Sequence, residues 1–92
     1  MEHEQLRSRL RRGEVVAMPA AQWQALEPSY QLKVAHDTQV AGMLQVMQGP
    51  AGLVAVEAPT PMERTIRAFA DEQAAEAFVT ERLNRYERMW EG

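Results

Sequence analysis

Residues 41–58 read AGMLQVMQGPAGLVAVEA, and this stretch decides the fold. Two β-prone runs flank Gly49-Pro50-Ala51-Gly52, and two glycines and a proline within four residues are a turn signal. The stretch therefore predicts a β-hairpin over 41–58. Both faces of each arm carry apolar side chains, so we expect both to be covered, with helices on one face and a partner as the candidate for the other.

Most of the hairpin lies in the longest uncharged part of the chain, residues 38–56. The 92 residues carry a formal charge of −3, and four arginines against two glutamates make residues 1–13 locally basic. The remaining body is acidic and repels phosphate, which disfavours nucleic acid as a partner. The chain has no cysteine, which excludes a disulfide scaffold, a thiolate metal site and a cysteine nucleophile.

The N-terminal sequence and the hydropathy of the chain bear on its location. No apolar run is long enough to span a membrane, and the first residues are acidic where a signal peptide is basic. We therefore expect a cytoplasmic protein with no membrane contact. Nine arginines against one lysine are typical of a GC-rich genome, and we expect a bacterial source.

Two short helices and a strand are predicted before residue 28. Leu6 and Leu10 form a narrow apolar stripe, and Gly13 follows where a left-handed cap ends a helix. Pro19 is suited to open a second helix, and Pro28 ends it. The elements predicted here are a helix over 2–12, a strand over 14–18 and a helix over 19–27.

Residues 29–40 leave two interpretations open. Tyr30, Leu32 and Val34 alternate with Gln31, Lys33 and Ala35, which favours a half-buried strand. A helical turn capped by Ser29 also fits. We favour the strand and place His36 and Asp37 in the turn that follows.

A strand and a long helix are predicted after the hairpin. Residues 64–70 alternate as a further strand, and Asp71 is a good N-cap for a helix over 72–90. One continuous apolar stripe follows the helical period, and its members are Ala75, Val79, Leu83, Tyr86 and Trp90.

The order of these elements predicts a single domain over residues 1–92. Its class is α+β, a small two-layer sandwich. An antiparallel sheet of three to five strands carries helices mainly on one face, and the C-terminal helix is long.

The sequence offers few candidates for chemistry. His36-Asp37 is the only neighbouring histidine–acid pair, and adjacent residues of a strand point to opposite faces. A metal site needs three or four converging ligands, and no motif assembles them. The Gly49–Gly52 segment lacks the Gly-Lys-Ser/Thr ending of a phosphate loop. We therefore predict no catalytic residue, no metal and no cofactor, in a protein that is not an enzyme.

The leading hypothesis is a protein that acts by association, most simply as a homodimer. Two features suggest association. The uncharged hairpin contains methionines, whose side chains repack easily against a partner, and the last helix ends in aromatic side chains that are costly to leave exposed to water. The candidate interface residues are Met43, Gln45, Met47, Tyr86 and Trp90.

Two other classes of binding protein stay open. A small-molecule or regulatory domain needs a pocket between sheet and helices, with candidate residues Trp23, Met43, Phe69 and Tyr86.

Nucleic-acid binding is the weaker alternative. It depends on a basic contact made by Arg7, Arg9, Arg11 and Arg12. On a helix these positions spread around the circumference, and no aromatic residue is interleaved with them.

Overall fold

Five antiparallel strands and three α-helices form the part of the chain that the computed structural model describes, residues 2–38 and 42–91. The strands make one sheet in the order β1-β5-β4-β3-β2. The predicted α+β class, the antiparallel sheet and the long C-terminal helix are confirmed. The elements are α1 (His3–Arg11), β1 (Val16–Pro19), α2 (Ala20–Leu26), a 3₁₀ turn (Glu27–Ser29), β2 (Gln31–Thr38), β3 (Gly42–Gly49), β4 (Gly52–Thr60), β5 (Glu63–Phe69) and α3 (Glu72–Glu91).

The predicted hairpin is formed by β3 and β4. Gly49 pairs with Gly52 across a turn at Pro50 and Ala51. Gly52 has φ +89°, a backbone conformation that glycine adopts without steric cost. At Gly49 the reason for glycine is space, because a Cβ there would lie 2.6 Å from the Tyr30 ring.

In the described part of residues 29–40 the structure contains a strand, β2, which is the favoured one of the two interpretations. β2 runs antiparallel to β3 through His36 and Asp37, so the turn predicted at these two residues is not formed there. The antiparallel ladder with β3 satisfies the backbone hydrogen-bonding groups of these residues, so the chain continues as a strand there instead of turning. Residues 39–41, which include the first residue of the predicted hairpin, Ala41, lie outside the described residues.

Local signals fix the helix ends. Gly13, at φ +82°, follows α1 and donates its N–H to the Leu10 carbonyl at 3.0 Å. Pro19 occupies the N-cap position of α2. The Asp71 carboxylate accepts the Ala74 N–H at 2.8 Å, which is the predicted N-cap of α3. None of the helices in the described ranges is both long and apolar enough to cross a membrane.

One face of the sheet is covered by α1 and α2. Side chains on alternate positions of the strands meet the apolar stripes of these two helices, as a pleated sheet requires. This N-terminal core consists of Leu6, Leu10, Val16, Met18, Trp23, Leu26, Tyr30, Met47, Val54, Val56 and Ile66.

The opposite face is covered by α3, which packs mainly against β4 and β5. This arrangement differs from the two predicted layers with helices mainly on one face, since helices occupy both sides. The hairpin's two apolar faces are thus both covered, as expected, but the second face is covered by α3 and not by a partner. The C-terminal core consists of Leu44, Val46, Leu53, Ala55, Ala75 and Val79, with Phe69, Phe78 and Leu83 packed against it.

Candidate functional site

An open cleft separates the first half of α3 from strands β2 and β3. Because α3 packs mainly on β4 and β5, its flank and the outer part of the sheet leave a wedge with a volume of about 440 Å³. Its apolar walls are formed by Val34, Val46, Leu53, Ala75, Val79 and Leu83. A concave, mainly apolar space of this size is typical of a binding site.

Polar side chains stand at the rim of the cleft. Lys33 of β2 forms an ion pair with Glu72 in the first turn of α3. The hydrogen bond from the Lys33 ammonium holds the pKa of the Glu72 carboxyl below its ordinary value. His36 lines the same cleft from β2, and Glu76 and Thr80 line it from α3.

A β-bulge in β2 turns one more side chain toward the cleft than a regular strand would. The pairing between β2 and β3 shifts between Leu32 and Val34, so Leu32 lies opposite Met47 while Val34 lies opposite Val46. Two residues, Lys33 and Val34, therefore occupy the space of one, and both line the cleft. A regular ladder would place only one of them on that face.

The two edges of the sheet are built differently. β1, at one edge, has four residues and ends in Pro19, which cannot donate a backbone hydrogen bond. β2, at the other, has eight residues, and its Leu32 and Val34 are 50% and 46% exposed. These two side chains lie on opposite faces, since their partners Met47 and Val46 belong to different cores. The β2 edge is thus long and unprotected by proline, and it carries one exposed apolar side chain on each face.

A buried carboxylate holds the middle of α3 to the sheet. Glu57 of β4 accepts a hydrogen bond of 2.5 Å from the Tyr86 hydroxyl, and Arg82 Nε lies 3.1 Å from the same oxygen, Oε2. Burial and this hydrogen bond raise the pKa of Tyr86 to about 12. The guanidinium groups of Arg67 and Arg82 lie 4.6 and 4.8 Å from the centre of the Phe78 ring.

The structure does not bring the candidate interface residues onto one surface. Met47 is buried in the N-terminal core, and Met43 and Gln45 are half-buried on the same face of β3 by alternation. Tyr86 lies on the opposite face, hydrogen-bonded to Glu57. Trp90 belongs to α3, and its side chain lies outside what the structure describes.

Two of the four arginines in and directly after α1 form ion pairs with one carboxylate. Arg9 Nε lies 3.1 Å from Glu14, and Arg12 contacts the other oxygen of the same carboxylate at 2.9 Å. These two arginines hold the pKa of Glu14 below its ordinary value. Arg7 is half-buried, and Arg11 is exposed. Two of the four charges are therefore already paired within the protein.

The other predicted site residues are also separated. Trp23 belongs to the N-terminal core, whereas Phe69 and Tyr86 lie on the α3 side of the sheet, so the pocket considered from the sequence does not assemble. Within residues 2–38 and 42–91 no three histidine or acidic side chains are grouped to hold a metal ion.

The residues of the cleft and of the exposed edge were missed by sequence reasoning. The alternation of Leu32 and Val34 signalled a strand but gave no sign of the bulge or of an edge position. Comparison with protein-family models, with curated proteins and with solved structures finds no match to this chain.

Proposed function

We propose that this protein acts by association rather than catalysis, through antiparallel pairing of β2 with an extended segment of another chain. The simplest partner is a second copy of the same protein. The observation that carries this proposal is the exposure of Leu32 and Val34 on opposite faces of an eight-residue edge strand. An added strand satisfies backbone groups at the edge and covers both side chains.

The usual defences of an edge strand are weak in β2. A lysine on an edge repels an incoming strand, but the ammonium of Lys33 is held by Glu72 of α3. The bulge lies near the start of the strand, and the pairing of Val34–Thr38 with β3 is regular. Five consecutive residues are therefore in the conformation that a second strand needs.

A two-fold axis beside β2 gives the two copies equivalent contacts. In such an isologous dimer each β2 pairs with the other, and the two five-stranded sheets join into one. Each face of one sheet then continues into the same face of the other, so the exposed side chains of Leu32 and Val34 are covered by side chains of the second copy's β2. The opposite edge, formed by β1, stays free because it is short and ends in proline.

Sedimentation equilibrium over a wide range of protein concentrations tests the proposal. We expect a dimer that dissociates on dilution. Val34→Lys places a charge at the new contact and should weaken the dimer at least about tenfold, equivalent to roughly 1.4 kcal/mol. Val15→Lys is the matched control, because Val15 is 45% exposed immediately before β1 at the other edge.

Two results contradict the proposal. One is a wild-type protein that stays monomeric at every concentration. The other is a dimer that Val15→Lys weakens as much as Val34→Lys, which places the contact away from β2. Circular dichroism spectra of both variants should match the wild type, since both side chains are about half exposed.

A further inference from the structure

We propose that the cleft between β2 and α3 binds a small amphiphilic cation, an aliphatic amine whose tail packs on the apolar walls and whose ammonium lies beside Glu76. This site is on a face of the sheet, whereas strand pairing uses its edge. Val34 belongs to both surfaces, but the cleft is formed within one copy of the chain and needs no second copy to bind a ligand.

The size and lining of the cleft select the tail. A volume of about 440 Å³ lies within the range of small-molecule sites. Val46 and Leu53 of the sheet and Val79 and Leu83 of α3 line the cleft with the edges of the C-terminal core, since Val46, Leu53 and Val79 are each no more than 9% exposed. No aromatic side chain lines the cleft among the described residues. Aliphatic walls favour a flexible aliphatic chain, because a flat ring finds no stacking partner there.

The charges at the rim select the head group. Glu72 and Glu76 on α3 face Lys33 on β2, so two carboxylates against one ammonium leave a formal charge of −1, counting His36 as neutral. Lys33 is already paired with Glu72, and an anionic ligand has to displace that carboxylate to reach it. Within the described part of the chain Glu76 has no ion-pair partner. The acidic net charge of the whole protein also attracts cations.

The helix places a second acceptor beside this carboxylate. Thr80 is four residues after Glu76, so the two side chains are neighbours on one face of α3, and both line the cleft. An ammonium group has three N–H donors and can bond to both side chains and to water. A primary amine is therefore a better match than a quaternary ammonium, which has no N–H to donate.

The test compares three ligands with the same eight-carbon chain: octylamine, octanol and octanoate, each below its aggregation concentration. Backbone amide shifts of the ¹⁵N-labelled protein locate and quantify binding. We expect shifts at the residues lining the cleft and an affinity for octylamine roughly two- to fivefold above that for octanoate, the range of an exposed ion pair. Octanol should fall between them.

Two variants separate the head group from the tail. Glu76→Gln should abolish the preference for the amine while octanol still binds. Glu87→Gln is the matched control, since Glu87 is exposed on the same helix and does not line the cleft. Val34→Phe fills the mouth of the cleft from a half-exposed position and should weaken all three ligands. The proposal is overturned by shifts outside the cleft, by no binding, by octanoate binding as tightly as octylamine, or by a preference that survives Glu76→Gln.

Discussion

The hydroxyl of Tyr86 on α3 donates a 2.5 Å hydrogen bond to the Glu57 carboxylate on β4. The two residues are 29 positions apart in the sequence, and the contact closes the α3 layer onto the centre of the sheet. Arg82 compensates the charge of Glu57 from the neighbouring turn of the helix. A carboxylate that is nine-tenths buried is thus supplied with both a hydrogen-bond donor and a cation, which burial of a charge requires.

Tyr86→Phe should destabilise the protein by about 1–2 kcal/mol, because the variant leaves the buried, charged acceptor Glu57 without the hydroxyl donor. Urea denaturation measures the change in the free energy of unfolding. Glu81→Gln serves as a comparison on the same helix. It breaks the exposed Glu81–Arg85 ion pair and should cost less than about 0.5 kcal/mol. Equal effects of the two variants would show that the Tyr86 hydroxyl contributes no more than a surface pair.

The tyrosine residues should make the fold sensitive to alkali. The pKa of Tyr86 is raised to about 12, and burial also raises the pKa of Tyr30 above its ordinary value of 10.0. Because the pKa of Tyr86 is higher in the folded protein, the tyrosine of the unfolded chain loses its proton at a lower pH. The contribution of the protonated hydroxyl to the free energy of unfolding is therefore complete below pH 10, and it is lost as the pH rises from 10 to about 12. Absorbance titration of tyrosinate should show ionisation above pH 10 in the folded protein. Tyr86→Phe should remove the step near pH 12, and a midpoint at 10 for both rings would refute the prediction.

Two glycines of the hairpin should respond differently to substitution. Gly49→Ala forces a Cβ to within 2.6 Å of the Tyr30 ring and 2.8 Å of the Ser29 carbonyl oxygen, and should cost about 1–3 kcal/mol. Gly52 has no atom near a Cβ but has φ +89°, so alanine there costs about 1 kcal/mol of backbone strain. Asparagine tolerates that conformation. In thermal unfolding, Gly52→Asn should therefore be more stable than Gly52→Ala, whereas Gly49→Asn should be no more stable than Gly49→Ala.

Strand pairing between two copies predicts disulfide formation at one position of β2. The chain has no cysteine, so single substitutions at Val34, Ala35 and His36 can be compared cleanly. In an antiparallel pair, directly opposite Cβ atoms are about 4.5–5.5 Å apart, close to disulfide geometry, and only the residue on the two-fold axis lies opposite itself. Mild oxidation should cross-link one of the three variants far more than the others. Ala17→Cys, exposed on β1, is the control. Cross-linking at Ala17 to the same extent would argue against pairing through β2.

The sequence predicted the elements better than their arrangement. The turn at residues 49–52, the N-cap at Asp71 and the stripe of Ala75 and Val79 are local signals, and the structure contains each of them. Which face of the sheet α3 covers is not a local property, because both faces of the hairpin are apolar and either accepts an apolar helix. The choice depends on the path of the chain after β5.

The cleft and the exposed edge could not be predicted from sequence patterns either, because both depend on how the strands pair. A bulge changes which side chains share a face, and it depends on the pairing of β2 with β3 rather than on the identity of Lys33. The burial of Glu57 follows only from the arrival of Tyr86 and Arg82 on a helix that begins fifteen residues later along the chain.

The central strand β4 supplies both cores, with Val54 and Val56 on one side and Leu53 and Ala55 on the other. Loss of α3 uncovers only one side of this strand, and loss of α1 and α2 uncovers only the other. Each helical layer can therefore open without the other, while the amide hydrogens of β4 stay protected until the whole domain unfolds. In hydrogen–deuterium exchange this strand should report global stability, and the two helical layers should exchange earlier, at separate rates.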